Sequence, residues 1–191
     1  MHKLLLLLSC WLIASGSICQ SPPAGFLDIP MMTQNSVGKA SIGMTAAKLK
    51  ETYNGCLFTP TYLAKYGFDG GGGKPDAVAV SSLGQKLFIC FLNGQTKKAS
   101  GFIVLNPAYK TAAGIHVGST SGQLKAAVPA IRVGPHEFVE NMQIASTGTE
   151  EHSGVKYIFQ RGPMGKDRDS VEPSEIATLS AKVSWILIKP N

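Results

Sequence analysis

The chain has 191 residues, which is enough for one ordinary domain or two small ones. Hydrophobic residues make up 44% of it and can form a core, while 21 glycines and 11 prolines favour strands and turns over long surface helices. The formal net charge is +6, but the basic residues are scattered and form no continuous block. We therefore expect no nucleic-acid binding, and an ordinary solvated basic surface is favoured over attraction to anionic envelope polymers or lipid headgroups.

The first residues predict a secretory signal peptide. Lys3 is followed by the apolar run Leu4–Ile13 and then by small residues. The run is short for a bilayer span, and no later stretch approaches the roughly 20 apolar residues of a membrane helix. We expect residues 1–19 to be the signal and the mature chain to be periplasmic or secreted. Because bulky Ile18 precedes Cys19, lipidation of that cysteine and anchoring to a membrane is the less favoured alternative.

Two segments 75 residues apart align without a gap: SIGMTAAKLKETY, which begins at Ser41, and HVGSTSGQLKAAV, which begins at His116. Random pairing would give about one identity over such a window. Five residues recur at this offset: Gly43 and Gly118, Thr45 and Thr120, Leu49 and Leu124, Lys50 and Lys125, Pro60 and Pro135. The pattern predicts an internal duplication. Each threonine is suited to N-cap a short helix, and Gln123 completes a capping box with Thr120.

The predicted elements follow in chain order. After a linker over residues 20–36, the first repeat covers residues 37–112, with a helix that begins after Thr45. Its four strands are predicted at Cys56–Leu63, Ala77–Leu83, Lys86–Leu92 and Gly101–Asn106. The second repeat covers residues 113–191, with a helix after Thr120 and strands at Ile131–Val139, Met142–Ser146, Val155–Gln160 and Val183–Lys189. The predicted fold class is α+β: two tandem repeats of a short helix and a four-stranded antiparallel meander, with the helices packed on one sheet face.

This arrangement resembles a known family of exported bacterial proteins. A helix start of the form Gly-x-(Ser/Thr), followed by a four-stranded meander and then duplicated, is similar to the beta-lactamase inhibitor protein family. It also resembles the single-copy outer-membrane assembly lipoproteins of the SmpA/OmlA type. The segment Tyr109–Pro129, YKTAAGIHVGSTSGQLKAAVP, is like the join between units in such proteins. The resemblance implies a concave sheet that grips a partner enzyme, although no inhibitory loop matches residue by residue.

Motifs for catalysis, metal binding or cofactor binding are not found. The run GGGGKP ends in Pro75 where a phosphate-binding loop needs Ser or Thr, and Phe68 occupies the place of its first glycine. The histidines His116, His136 and His152 have no zinc-ligand spacing, and no GxSxG elbow occurs. We therefore expect neither a cofactor nor a metal, and no catalytic residues.

Two cysteines, Cys56 and Cys90, remain beyond the predicted signal. In an exported protein they form a disulfide if the geometry allows. The predicted strand order places them two strand spacings apart, about 9.6 Å, which exceeds the reach of a disulfide. A disulfide is therefore disfavoured, unless Cys56 lies before its strand. A thiol site that pairs one of them with a histidine is a further alternative.

The predicted function is non-catalytic binding of an exported or envelope protein. The family resemblance implies that this partner is an enzyme that the binding inhibits. The contact is expected on the sheet face and on the loop Tyr66–Lys74, because aromatic side chains on exposed sheets favour partner binding. The candidate binding residues are Tyr62, Tyr66, Asp69, Lys74, His136 and Phe138. Two alternatives stay open: an envelope-assembly or lipoprotein-like scaffold, and an enzyme with a Cys/His site.

Overall fold

Two seven-residue helices begin directly after the predicted threonines: α1 covers Ala46–Thr52 and α2 covers Ser121–Ala127. Thr45 Oγ1 accepts a hydrogen bond from Lys48 N at 3.2 Å, and Thr120 Oγ1 accepts one from Gln123 N at 3.1 Å. Gln123 Oε1 also accepts from Thr120 N at 2.8 Å, which completes the predicted capping box. Both N-cap predictions are therefore confirmed.

The computed structural model describes residues 30–68, 75–136, 142–147, 154–160, 162 and 174–189. A small hairpin comes first, formed by β1 (Ser36–Val37) and β2 (Ala40–Ser41). The other eight strands are β3 (Leu57–Thr61), β4 (Ala77–Ser82), β5 (Gln85–Leu92), β6 (Ala99–Val104), β7 (Ile131–Pro135), β8 (Gln143–Thr147), β9 (Val155–Phe159) and β10 (Trp185–Ile188). Among the described residues, no helix is long and apolar enough to cross a membrane.

The eight strands form one sheet in the order β3-β4-β5-β6-β10-β9-β8-β7. All of its neighbouring pairs are antiparallel, and Val104 of β6 lies opposite Ile186 of β10 at the centre. The two edges are therefore β3 and β7. The α+β fold class is confirmed.

Several strands are shorter than predicted, and the two edge strands differ most in where they end. β3 ends at Thr61 rather than Leu63, because Leu63 N donates to Asp76 Oδ1 at 3.0 Å and the chain turns into a 3-10 helix at Ala64–Tyr66. β7 ends at Pro135 rather than Val139, and residues 137–141 lie outside the described residues.

Each helix buries one leucine, Leu49 or Leu124, in the same hydrophobic cluster. This cluster lies on one face of the sheet, which we call the helix face, and its largest fully buried rings include Phe88, Phe102 and Phe159. A second cluster, which includes Ile103, Ile158 and Trp185, covers the opposite, helix-free face. Side chains alternate between the two faces along a strand, so the central strands are apolar at successive positions because both faces are buried.

Tyr53, the C-cap residue directly after α1, ties the β1–β2 hairpin to the core. The Tyr53 hydroxyl donates to Val37 O at 3.0 Å, accepts from Lys39 N at 3.2 Å and is hydrogen-bonded to Tyr109. Gly38, with φ +54°, passes so close that a Cβ atom there would lie 3.0 Å from both tyrosines. Burial raises the pKa of Tyr53 and of Tyr109 above the ordinary value.

This pair predicts a loss of stability in alkali. A phenol with a raised folded-state pKa contributes stability that is complete below the unfolded value, about 10, and is lost as the pH rises above it. Tyr109→Phe removes one such hydroxyl and keeps the ring, so it should flatten the fall of the unfolding free energy above about pH 10. Urea unfolding at several pH values measures this, with exposed Tyr62→Phe as the control. Equal slopes in Tyr109→Phe and the natural chain would contradict it.

Candidate binding surface

The edge strand β3 is uncharged and exposes apolar side chains. Its sequence is LFTPT, and Leu57 at its start is 66% exposed. Tyr62, just after its end, is 46% exposed, and Thr59 and Pro60 between them are exposed as well. Natural edge strands are often guarded by charges or by proline. Here the guard is Pro60, which has no N–H to offer to an incoming strand.

The opposite edge is closed by the chain itself. Val133 N donates to Ser174 O at 2.9 Å, and Ser174 N donates to Val133 O at 2.8 Å. Glu175 then forms ion pairs of 3.4 Å with Lys125 of α2 and with Arg132 of β7. The next residue, Ile176, is buried in the helix-face cluster. We call this segment the Ser174–Ile176 strap.

Tyr66, a predicted binding residue, packs against the sheet. The Tyr66 and Trp185 rings meet edge to face with centroids 5.7 Å apart, and burial raises the pKa of the Tyr66 phenol. Two residues on, the Phe68 ring meets Phe91 in the same way at 5.1 Å. The segment after β3 therefore covers part of the helix-free face, and Tyr66 stabilises the fold through this contact.

The centre of the helix-free face is buried. Trp185 is 5% exposed, and Ile103 and Ile158 are buried more completely. A partner can therefore reach this face at its margins, where Leu57 of β3 lies, but not at its centre. The expected contact on the sheet face stays a prediction, and the apolar core at the centre leaves the margins of this face for it.

The three predicted binding residues that the structure describes do not come together as one group. Tyr62 and Tyr66 follow β3 rather than lying on it, because the strand ends at Thr61. His136 is half-buried just after β7, at the opposite edge of the sheet, where its N–H donates to Met142 O at 3.0 Å. Asp69, Lys74 and Phe138, the remaining three, lie outside the described residues.

Both cysteines are free thiols. Cys56 directly precedes β3, near the end of β4, while Cys90 lies on β5 opposite Val78. They are two strands apart and displaced along the sheet, which exceeds the Cα separation of about 7 Å that a disulfide tolerates. Burial is the main cause that raises the pKa of Cys56, and it raises the pKa of Cys90 to about 12. Neutral, shielded thiols of this kind are poor nucleophiles.

Metal ligands do not gather within the described part of the chain, where no group of three His, Cys, Asp or Glu side chains could hold an ion. An open groove of about 440 Å³ lies beside α2 and includes His116, whose Nδ1 is 2.8 Å from Val117 O. Small residues such as Ala113 and Ala126 form much of its wall, and its lining includes no Asp, Glu, Lys or Arg.

The sequence resembles no known family model, and no curated protein matches it. A solved structure does match in fold: the uncharacterized protein yfeY from Escherichia coli. The match covers 83% of this chain and 99% of that one, with a TM-score of 0.51 and 12% sequence identity. At this identity the likeness shows the fold alone.

Sequence reasoning missed Leu57 and the strap. An apolar residue in an alternating strand normally indicates the core, and only the position of β3 at an edge makes Leu57 exposed. Ser174 and Glu175 sit in a polar segment whose composition predicts a loop. The signal that could have revealed the strap is the acidic charge of Glu175, which pairs with Lys125 and Arg132, but pairing over that separation cannot be read from one sequence.

Two neighbouring tyrosines should behave differently on truncation. Tyr66→Ala removes the contact with Trp185 and should lower the unfolding free energy by about 2 kcal/mol. Tyr62→Ala removes an exposed ring and should change it by less than about 0.5 kcal/mol. Urea unfolding of both variants measures the difference. A loss of the same size in the two variants would contradict the placement of Tyr66 against the sheet.

Proposed function

We propose that this chain is a non-catalytic exported binding protein that contacts a protein partner through the β3 edge and the segment after it. The observation that carries the proposal is the pair of exposed apolar side chains, Leu57 and Tyr62, at the two ends of an uncharged edge strand. They are five residues apart, about 17 Å in an extended strand, which is a span suited to a partner segment.

We also propose that the fold arose by duplication and belongs with the tandem beta-lactamase inhibitor protein-like and SmpA/OmlA-like proteins. Equivalent backbone bonds 75 residues apart support this: Cys56 N donates to Tyr53 O and Ile131 N to Val128 O, each at 3.0 Å. From the centre of the sheet to either edge, the strands run in reverse chain order, β6 to β3 on one side and β10 to β7 on the other. This agrees with two similar four-stranded units that pair through their last strands, β6 and β10. Inhibition of an enzyme is one form that the binding takes in such proteins.

The chemistry of the described residues supports binding rather than catalysis. Burial raises the pKa of Cys56 and of Cys90, which disfavours the thiolate that a cysteine nucleophile needs. His136 and the segment after β3 lie at different parts of the sheet, so they do not combine into a catalytic pair. An apolar, exposed edge is instead typical of a contact surface.

Capture from the exported protein fraction tests this proposal. The natural chain should retain a partner that a Leu57→Ser/Tyr62→Ala variant loses, because both apolar contacts are removed. The matched control is Leu83→Ser/Leu179→Ser, since Leu83 and Leu179 are 71% and 57% exposed outside the β3 edge. Mass spectrometry of the retained proteins is the measurement. Equal retention by the natural chain and both variants would contradict the proposed surface.

A further inference from the structure

In the second half of the chain, the edge strand β7 is bridged by another segment of the same chain, the Ser174–Ile176 strap. Val133 exchanges two backbone hydrogen bonds with Ser174, at 2.9 and 2.8 Å. The carboxylate of the next residue, Glu175, pairs with Lys125, whose Nζ also lies 3.5 Å from Ile176 O. The strap is therefore held by one backbone bridge, one acidic residue and one buried apolar residue.

The first half has the same receiving positions but no strap. At the offset of 75 residues, Phe58 corresponds to Val133 and Lys50 to Lys125. The strap comes from the long connection between β9 and β10, whereas β5 and β6 are joined by the short turn at residues 93–98. Apart from Val80, its partner on β4, no residue that the structure describes is paired with Phe58. Lys50 is exposed in the last turn of α1 and has no ion pair with any described residue.

The backbone groups of Phe58 face away from the sheet. Ile131 N donates to Val128 O, and two residues later Val133 faces the strap rather than β8. Cys56 N donates to Tyr53 O in the same way. Since a strand directs alternate residues to alternate sides, Phe58 presents its N–H and C=O outward, as Val133 does. The backbone of Pro60 faces the same outward side, so the lack of an N–H there removes no hydrogen bond to β4.

The two edge strands differ in one side chain that a bound segment would contact. Leu57 of β3 corresponds to Arg132 of β7, so the β3 edge offers one cation, Lys50, and an exposed apolar side chain, Leu57. The chain as a whole carries 18 lysines and arginines against 12 acidic residues, a formal net charge of +6. Such a surface attracts an acidic segment over an acid-poor one.

We infer that the β3 edge binds a short extended segment of the partner protein, which bridges Phe58 as Ser174 bridges Val133. An acidic residue next to the bridging residue pairs with Lys50, and an apolar side chain packs on Leu57. This inference rests on the proposed function and specifies the partner's segment. The mode is addition of a strand to a sheet edge, where backbone bonds give affinity and neighbouring side chains give specificity.

Pro60 makes a second copy of this chain a poor occupant. If two β3 strands met antiparallel with Phe58 opposite Phe58, each Pro60 would face Cys56 of the other copy. Proline has no N–H to donate, and Cys56 N is already bonded to Tyr53 O. Only the central pair would bond, so the edge accepts a short bridge but resists sheet-to-sheet pairing.

The probe is a synthetic peptide, PSEIATL with blocked ends, which copies residues 173–179 of this chain. Added to the full chain as purified after export, it should shift the NMR signal of the Phe58 amide and slow its hydrogen exchange. Lys50→Glu should weaken peptide binding by about fivefold, as loss of an exposed ion pair does. Lys97→Glu is the matched control at another exposed lysine and should bind as the natural chain does.

Four results would overturn the inference. The Phe58 amide could stay unchanged at saturating peptide. The changes could appear at Val133 instead, which would mean that the peptide displaces the strap. Lys50→Glu could also bind the peptide as tightly as Lys97→Glu does, or the peptide PSKIATL could bind as tightly as PSEIATL, and either would remove the acidic residue from the mechanism.

The same variants separate this inference from the proposed function. If Lys50→Glu retains the captured partner fully while Leu57→Ser/Tyr62→Ala loses it, the proposed binding function is supported and the inferred strap-like binding mode is wrong. If the peptide binds at Phe58 but the natural chain captures no partner, the inferred peptide site is supported and the proposed function is wrong.

Discussion

An open antiparallel sheet has two edge strands whose outward backbone groups must be bonded, covered or blocked, and this constraint shapes the whole chain. Here the edges are β3 and β7, because β6 and β10 meet in the middle. β7 is closed by two hydrogen bonds to Ser174 and by the ion pairs of Glu175. β3 relies on Pro60, which prevents extended pairing yet leaves one residue, Phe58, able to form a bridge.

The difference between the edges arises from loop length. The connection after β5 is a short turn, whereas the connection after β9 includes the strap and returns along α2. On this return path Gly122 lies where a Cβ atom would approach Leu179 O to 3.1 Å, so the close contact with α2 favours glycine. Among the described residues, the edge strand β7 is therefore bridged by the strap, whereas β3 has no such bridge. We propose that the unbridged β3 edge is the functional one.

Much of the fold could be predicted because its signals are local. Thr45 and Thr120 fix the two helix starts through bonds to residues three positions on, and the apolar runs locate the strands to within a few residues. Tyr66 was expected at the start of the loop after the first strand. It lies in a 3-10 helix against Trp185, because Leu63 bonds to Asp76 and turns the chain, and its binding role stays a prediction. Contacts such as Tyr66 with Trp185 or Ser174 with Val133 join residues far apart in sequence, and a single sequence does not encode them in a readable pattern.

Amide hydrogen exchange of the unbound chain tests the central claim most directly. The comparison is between the Phe58 and Val133 amides, which occupy corresponding places on the two edge strands. Val133 N is bonded to Ser174 O, so its amide should be protected, while the outward Phe58 amide should exchange at least about tenfold faster. Equal protection of the two amides would mean that the β3 edge is also closed, and would contradict the assignment of that edge as the binding surface.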